Sequence, residues 1–342
     1  MNRQNYFDNA KFILILLVVM GHLFEPVLKE HVTTKIIYVF LYIFHMPMFA
    51  LISGYFSKAD SSLDYFWKNV QSLIFPYVVL QVLVSLLILL RDGNLDIMKC
   101  VFYPHDVLWY LFCLFVWRFI LPYFIKLKYP VIIALVAALA CGYVNSIDRF
   151  LTLSRLIVFF SFFIIGYRLK TAESKLIIHK LIPRKLAIII ISLALAASFK
   201  IYDVNLHWLY FDSSYRKLGH PEYYAAVYRF VLICAGFLTG LSFLVIIPDR
   251  KLFFTQLGSK TIYVFLLHSI FILRILEYIN FFEFFTEVRV ICLLFPVFAF
   301  SLCLILSSRI VTNLAMPIVN PSFLISILLK YRNKLFNVPL IK

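Results

Sequence analysis

The sequence predicts an all-α integral membrane protein, a single bundle of about ten transmembrane helices with both termini in the cytoplasm. Three observations carry this expectation. The chain is 63% hydrophobic and 15% charged, with a mean hydropathy of +0.92, where soluble domains run about 45–50% apolar and about 25% charged. That much apolar surface exceeds what one soluble core can hide. Apolar runs long enough for about 30 Å of hydrocarbon recur along the chain. Lys and Arg gather in alternate loops between them.

In chain order, helices are expected near 12–28, 36–56, 70–90, 107–125, 130–146, 151–168, 186–201, 224–247, 261–281 and 289–311. No small-residue cleavage site follows the first run, and it carries His22 and Glu25, so it reads as a retained helix and not a signal peptide. The second contains Pro47, whose missing N–H predicts a kink with exposed backbone groups. Its Ser53-Gly54 pair lets another helix approach closely. The 130–146 span reads as tilted or partly re-entrant, and 186–201 is short. Residues 202–223 form the longest outer loop, mixing aromatics with Asp203, His207, Asp212, Arg216, Lys217, His220 and Glu222. Such a surface suits carbohydrate, whose C–H faces stack while its hydroxyls hydrogen-bond. An interfacial aromatic belt is the plainer account of the same residues. The stretch after Pro321 is too short to span and reads as an interfacial helix with a basic end. Residues 1–342 are thus one membrane domain, with a cytoplasmic or interfacial tail over about 315–342.

With the N-terminus inside, the inner loops collect Arg3, Lys11, Lys58, Lys68, Lys126, Lys128, Arg168, Lys170, Lys175, Lys180, Arg184, Lys185, Arg250, Lys251, Lys260, Arg309, Lys330, Arg332, Lys334 and Lys342. Their acids are few: Asp8, Asp60, Asp64, Glu173 and Asp249. Positive-inside topology therefore explains the net charge of +16. No basic stripe accompanies a soluble domain, so no nucleic-acid partner is expected. The six cysteines show no paired spacing and read as packing residues, with no disulfide framework and no metal site.

His22 is the residue that points to chemistry. An ionisable side chain inside a membrane span is costly and usually functional. Lys11 stands eleven residues earlier, three turns or about 16 Å of rise, on the same helix face. Glu25, three residues further, can orient the imidazole and stabilise it once protonated. In neutral form His22 can take a proton from an alcohol; a histidine merely bonded to a neighbouring helix is the bland alternative. Arg155, near the outer third of its helix, reads as a contact to a substrate or as an ion pair with Asp148 or Glu25. His45 either lines a cavity beside His22 or satisfies the break at Met46-Pro47.

The segment Phe7-Asp8-Asn9-Ala10-Lys11 through Gly21-His22 resembles the opening of the membrane acyltransferase-3 family, where a basic residue precedes a helix-1 histidine by this spacing. The chain is most similar to the branch named for fucose 4-O-acetylase. Phe44-His45-Met46-Pro47 with Ser53-Gly54-Tyr55 matches that branch, as do Leu73-Ile74-Phe75-Pro76-Tyr77 and Leu108-Trp109-Tyr110-Leu111. Arg155 with Phe162 to Gly166-Tyr167 fits a further block, and Leu257-Gly258, Ile262-Tyr263 and His268 the last. The blocks cover residues 7–268.

The resemblance implies an O-acetyltransferase that moves an acetyl group from cytoplasmic acetyl-CoA to a hydroxyl of a surface polysaccharide or its polyprenyl-linked precursor. Acetyl-CoA is then a co-substrate, no cofactor is held permanently, and the location is the plasma or inner membrane. Lys11, helped by Lys58, Lys68 or Arg118, is expected to hold the donor's phosphates. His22 and Glu25 carry the chemistry. Arg155, His45, Ser53, Tyr55, Trp109, Tyr110 and His268 contact the acceptor or shape the cavity. A transporter or flippase for lipid-linked sugars, or a polymerase, are the competing readings.

Overall fold

The computed structural model describes residues 3–171, 182–319 and 321. The expected interfacial helix beyond Pro321, and the charges at Glu173, Lys175, Lys180, Lys330, Arg332, Lys334 and Lys342, lie outside these. No strand occurs among the described residues. The principal helices are α1 (Arg3–Phe24), α2 (Val32–Phe56), α3 (Leu63–Asn69), α4 (Phe75–Asp92), α5 (Ile97–Phe102), α6 (Trp109–Phe124) and α7 (Pro130–Ala140). They continue with α8 (Leu153–Thr171), α9 (Arg184–Ile201), α10 (His207–Tyr210), α11 (Ala225–Ile246), α12 (Thr261–Ile270), α13 (Val288–Leu306) and α14 (Arg309–Val319).

Among the described residues seven stretches are long and apolar enough to cross a membrane: Asn5–Val27, Val32–Phe56, Leu63–Asp92, Phe150–Lys170, Ala225–Ile246, Thr255–Leu276 and Val288–Leu306. The protein is thus a multi-pass membrane protein. The other three expected spans are also helical but fall short: α6 and Pro130–Tyr143 in length, and α9 because Arg184, Lys185 and Lys200 at its ends leave an uncharged run of only residues 186–199. Two further boundaries differ from expectation. The span expected at 70–90 begins at Leu63 and passes through a π turn, Val70–Ile74, before α4. The span expected at 289–311 breaks at Ser307, where the amphipathic α14 begins.

The bundle has two polar ends. At the lower end, where α1 starts, the buried Asn9 side chain donates to the carbonyls of Pro248 (2.9 Å) and Arg250 (3.0 Å) and accepts from Thr255 Oγ1 (2.7 Å). Tyr6 donates to Leu244 O at 2.7 Å, Lys170 to Ser57 O at 3.0 Å and Lys260 to Ser307 O at 2.9 Å. The upper end gathers the C-terminus of α1, the 202–223 loop and the turns before α6 and α8. There Lys35 pairs with Asp203 at 2.6 Å, and Lys217 pairs with Asp148.

α2 is the central strut, packed against α8, α11, α1 and α9. Its crossing with α8 depends on two glycines. A Cβ on Gly54 would stand 1.9 Å from the carbonyl oxygen of Phe163, and one on Gly166 would stand 1.9 Å from that of Leu51. The helices meet backbone to backbone, as Ser53-Gly54 led us to expect. α2 runs unbroken through Pro47. The Ile43 carbonyl, which Pro47 deprives of its helical donor, packs against Gly236 of α11.

Candidate functional site

α1 ends because Pro26 follows Glu25, and the chain tightens into a 3-10 turn, Glu25–Val27. That turn folds the Glu25 carboxylate back onto His22, whose Nδ1 lies 2.9 Å from Oε2. A carboxylate only accepts, so in the neutral ring Nδ1 carries the proton and Nε2 keeps its lone pair. This is the tautomer a general base requires.

His22 and Glu25 line a cavity of about 150 Å³ within the upper half of the bundle. Two stacked tyrosines of α2, Tyr38 and Tyr42, form one wall with rings 4.0 Å apart, and the Tyr38 hydroxyl meets that of Tyr210 at 2.6 Å. Trp109, Phe159 and Phe265 form the apolar side. Glu25, Asp106, Arg155 and Tyr210 also line a second cavity of about 400 Å³, walled by Tyr103, Arg149, His207 and Asp212. The two cavities adjoin across these four shared residues.

Arg155 stands where they join. Its Nε donates to Tyr210 O and its Nη2 to Asp212 Oδ2, both at 3.2 Å, and its guanidinium lies 4.9 Å from the Trp109 ring centre. The partner is therefore Asp212, and not the Asp148 or Glu25 expected from sequence. The cause is local. Phe211 takes a left-handed backbone (φ 51°) after α10 and turns Asp212 inward. Asp212 also receives His207 Nδ1 (2.9 Å) and Arg149 Nε (3.1 Å). Burial alone would raise this carboxyl, but the His207 bond and the two guanidiniums outweigh it and bring its pKa to about 2. Arg229, buried in α11, holds the loop from behind by donating to Ser213 O at 2.8 Å and Ala138 O at 3.2 Å.

A second pair closes the other side. Asp106, itself at φ 46°, accepts from Arg274 Nη2 at 2.7 Å. Arg274 belongs to a π-wound continuation of α12, Phe271–Leu276, and π turns of this kind recur at functional sites. Sequence reasoning missed Asp106, Arg229 and Arg274, and named Asp212 only as one polar residue of the 202–223 loop. Arg274 carried the same signal as Arg155, a cation inside an apolar span, and could have been found.

The other expected residues fall at different levels. Trp109 and His45 line the His22 cavity, with His45 Nδ1 donating to Leu41 O at 2.6 Å. The His268 ring lies 5.3 Å from that of His22. Below them Tyr110 and Ser53 share a hydroxyl contact of 2.8 Å, and the Tyr110 ring packs 5.6 Å from Phe265. Tyr55 sits at the lower end against Phe7, 4.7 Å between centres. Lys11 pairs with Asp8 at 2.7 Å. Lys68 lines an open lower-end pocket with Trp67 and Tyr263, while Arg118 donates to Asn69 Oδ1 at 2.9 Å beside another pocket. Lys68 and Arg118 thus line different pockets, and none of the three expected donor contacts lines the His22 cavity. All six cysteines are free thiols. Among the described residues no cluster of His, Cys, Asp and Glu is arranged to hold a metal ion.

Comparison with known proteins agrees with the spread of the motifs. A family model described as an acyltransferase domain, acyltransferase-3, matches residues 4–308. The nodulation protein NolL of Sinorhizobium fredii is 42% identical over 60 residues, 17% of this chain and 16% of that relative's length. No solved structure matches. Since one family model runs from the first turn of α1 to the end of α13, enclosing both cavities and the His22–Glu25 pair, the chain belongs to the acyltransferase-3 family of multi-pass membrane proteins.

Proposed function

We propose that this acyltransferase carries an acetyl group from acetyl-CoA, arriving at the Lys11 end, to a carbohydrate hydroxyl entering through the upper cavity. The observation that carries the reading is the His22–Glu25 pair, set in a cavity that adjoins a second one on the upper side. The basic lower loops support a cytoplasmic Lys11 end, where a polyanionic thioester is available. The acceptor is then a surface polysaccharide or its polyprenyl-linked precursor at the opposite face.

Each residue has a role in that reaction. His22 Nε2 takes the hydroxyl proton as the oxygen attacks the thioester carbon, and Glu25 stabilises the imidazolium. The C–S bond breaks and the imidazolium returns its proton to the leaving thiolate. Arg155 has N–H groups beyond the two spent on Tyr210 and Asp212, and these stabilise charge on the carbonyl oxygen. Tyr38, Tyr42, Tyr210 and Trp109 offer ring faces and hydroxyls to the sugar. The apolar wall keeps water from the thioester. Family membership favours this chemistry over the transporter and polymerase readings.

Acetyl content of the surface glycan, read by proton NMR, tests the proposal at matched membrane levels of protein. His22→Ala is expected to lower the initial rate about 10³-fold, the scale of a lost general base. Undiminished acetylation in that variant overturns it.

A further inference from the structure

His268 is buried without exposed surface and lies outside the cavity lining. Its Nδ1 donates to Val264 O, four residues back, at 2.8 Å. A carbonyl only accepts, so the proton is on Nδ1 and Nε2 is an acceptor. That Nε2 has no hydrogen-bond partner. A buried acceptor left unmade is rare and needs an explanation. His45 makes the same backbone bond, to Leu41 O, but its ring reaches the cavity.

The register of the helices says where this unused acceptor sits. The backbone of Gly258 abuts that of Asp8, so α1 and the chain leading into α12 start at one level. His22 stands fourteen residues beyond Asp8 and His268 ten beyond Gly258, the first of them in a 3-10 turn, which at ~1.5 Å per α-helical and ~2.0 Å per 3-10 residue puts His268 about 5 Å nearer the lower end. The 5.3 Å separation of the two rings fits that offset. Phe265, 6.2 Å from His268 between ring centres, and then Tyr110 continue the line downward.

We infer that His268 Nε2 is a binding contact for the arm of the acyl donor, accepting an amide N–H of the pantetheine chain while the thioester lies at His22. The inference rests on the proposed donor and direction of entry. An arm rising from the lower end must pass the level just below His22 to bring its carbonyl to Nε2 of that ring. The arm carries two secondary amides, each with an N–H to place, and methylenes that suit the Phe265 wall. His22 itself has no acceptor to spare, because its lone pair serves the alcohol.

The test uses full-length protein, native membranes as acceptor source, and two thioesters: acetyl-CoA and S-acetyl-2-mercaptoethanol, which has no amide. Thiol release gives kcat/KM for each, and their ratio cancels the fraction of folded protein. His268→Asn keeps a donor near Nδ1 and loses the acceptor, so the ratio should fall about tenfold, one hydrogen bond's worth. His268→Gln places an amide oxygen near Nε2 and should restore most of it, while KM for the acceptor stays unchanged in both. An unchanged ratio in the Asn variant, or a rise in acceptor KM instead, overturns the inference. Wild type is run beside His22→Ala: transfer that does not depend on His22 would refute the proposed function, a result distinct from either of these.

Discussion

At the lower end Asn9, Lys170 and Lys260 each spend their polar atoms on main-chain carbonyls of another segment. At the upper end Arg149, Arg155 and His207 converge on one carboxylate, Asp212, beside a cavity. The first arrangement ties chain to chain through the main chain. The second costs the desolvation of several charges and leaves N–H groups and ring faces open. The motif that opens the chain divides along the same line. Its Asn9 is a rivet, whereas the histidine that closes it lines a cavity and meets a carboxylate.

The framework side of this contrast is most easily broken where α2 meets α8. Gly166→Val would drive a side chain into the Leu51 carbonyl and part the helices. A loss above about 4 kcal/mol is expected, the range of severe core disruption, seen as failure to accumulate in the membrane. Normal accumulation with an unchanged thermal midpoint would mean that the crossing is not close. Both glycines of this contact were legible in sequence as members of separate motifs. That they face each other was not, because more than a hundred residues separate them and neither run of sequence names its partner.

The upper network should respond less, and through charge. Asp212→Ala leaves Arg155 and Arg149 without their anion and should cost about 3 kcal/mol, measured as a drop in thermal midpoint in detergent. Because the folded-state pKa of Asp212 is lowered to about 2, its stabilising contribution of about 2 kcal/mol is complete above roughly pH 5 and is lost as pH falls toward 2. His207→Ala raises that pKa and should move the acid loss to higher pH. An acid profile identical to wild type would show that His207 does not hold the carboxylate.

Much of the cavity was unreadable for a similar reason. Arg155 announced itself as a charge in an apolar run, but its partner came from a loop whose left-handed turn at Phe211 no periodicity reveals. The π turn that presents Arg274 spans six residues, too few to tell its winding from an ordinary helix by apolar spacing. The His22–Glu25 contact was legible, since three residues and an intervening turn leave little freedom.

The smallest effect sharpens the division at Lys11. This side chain lies at the framework end, paired with Asp8, yet the proposed donor enters there. Lys11→Ala should leave the thermal midpoint within about 0.5 kcal/mol of wild type, while donor KM rises roughly fivefold for one exposed phosphate contact. A donor KM equal to wild type would place the nucleotide elsewhere at that end.

The short helices bear on the surrounding lipid. α6 has 16 residues and α7 has 11, extended by a brief 3-10 turn, so their apolar faces rise only about 20–24 Å. Phe119, Ile120, Ile132, Ile133 and Val136 on these helices are exposed, and lipid chains packed there meet less hydrocarbon height than the ordinary ~30 Å. The leaflets must pinch together on that flank. α6 also supplies Trp109 to the pocket, so the dimple forms around a helix that walls the His22 cavity, and the proposed transfer would span a layer thinner than the membrane elsewhere.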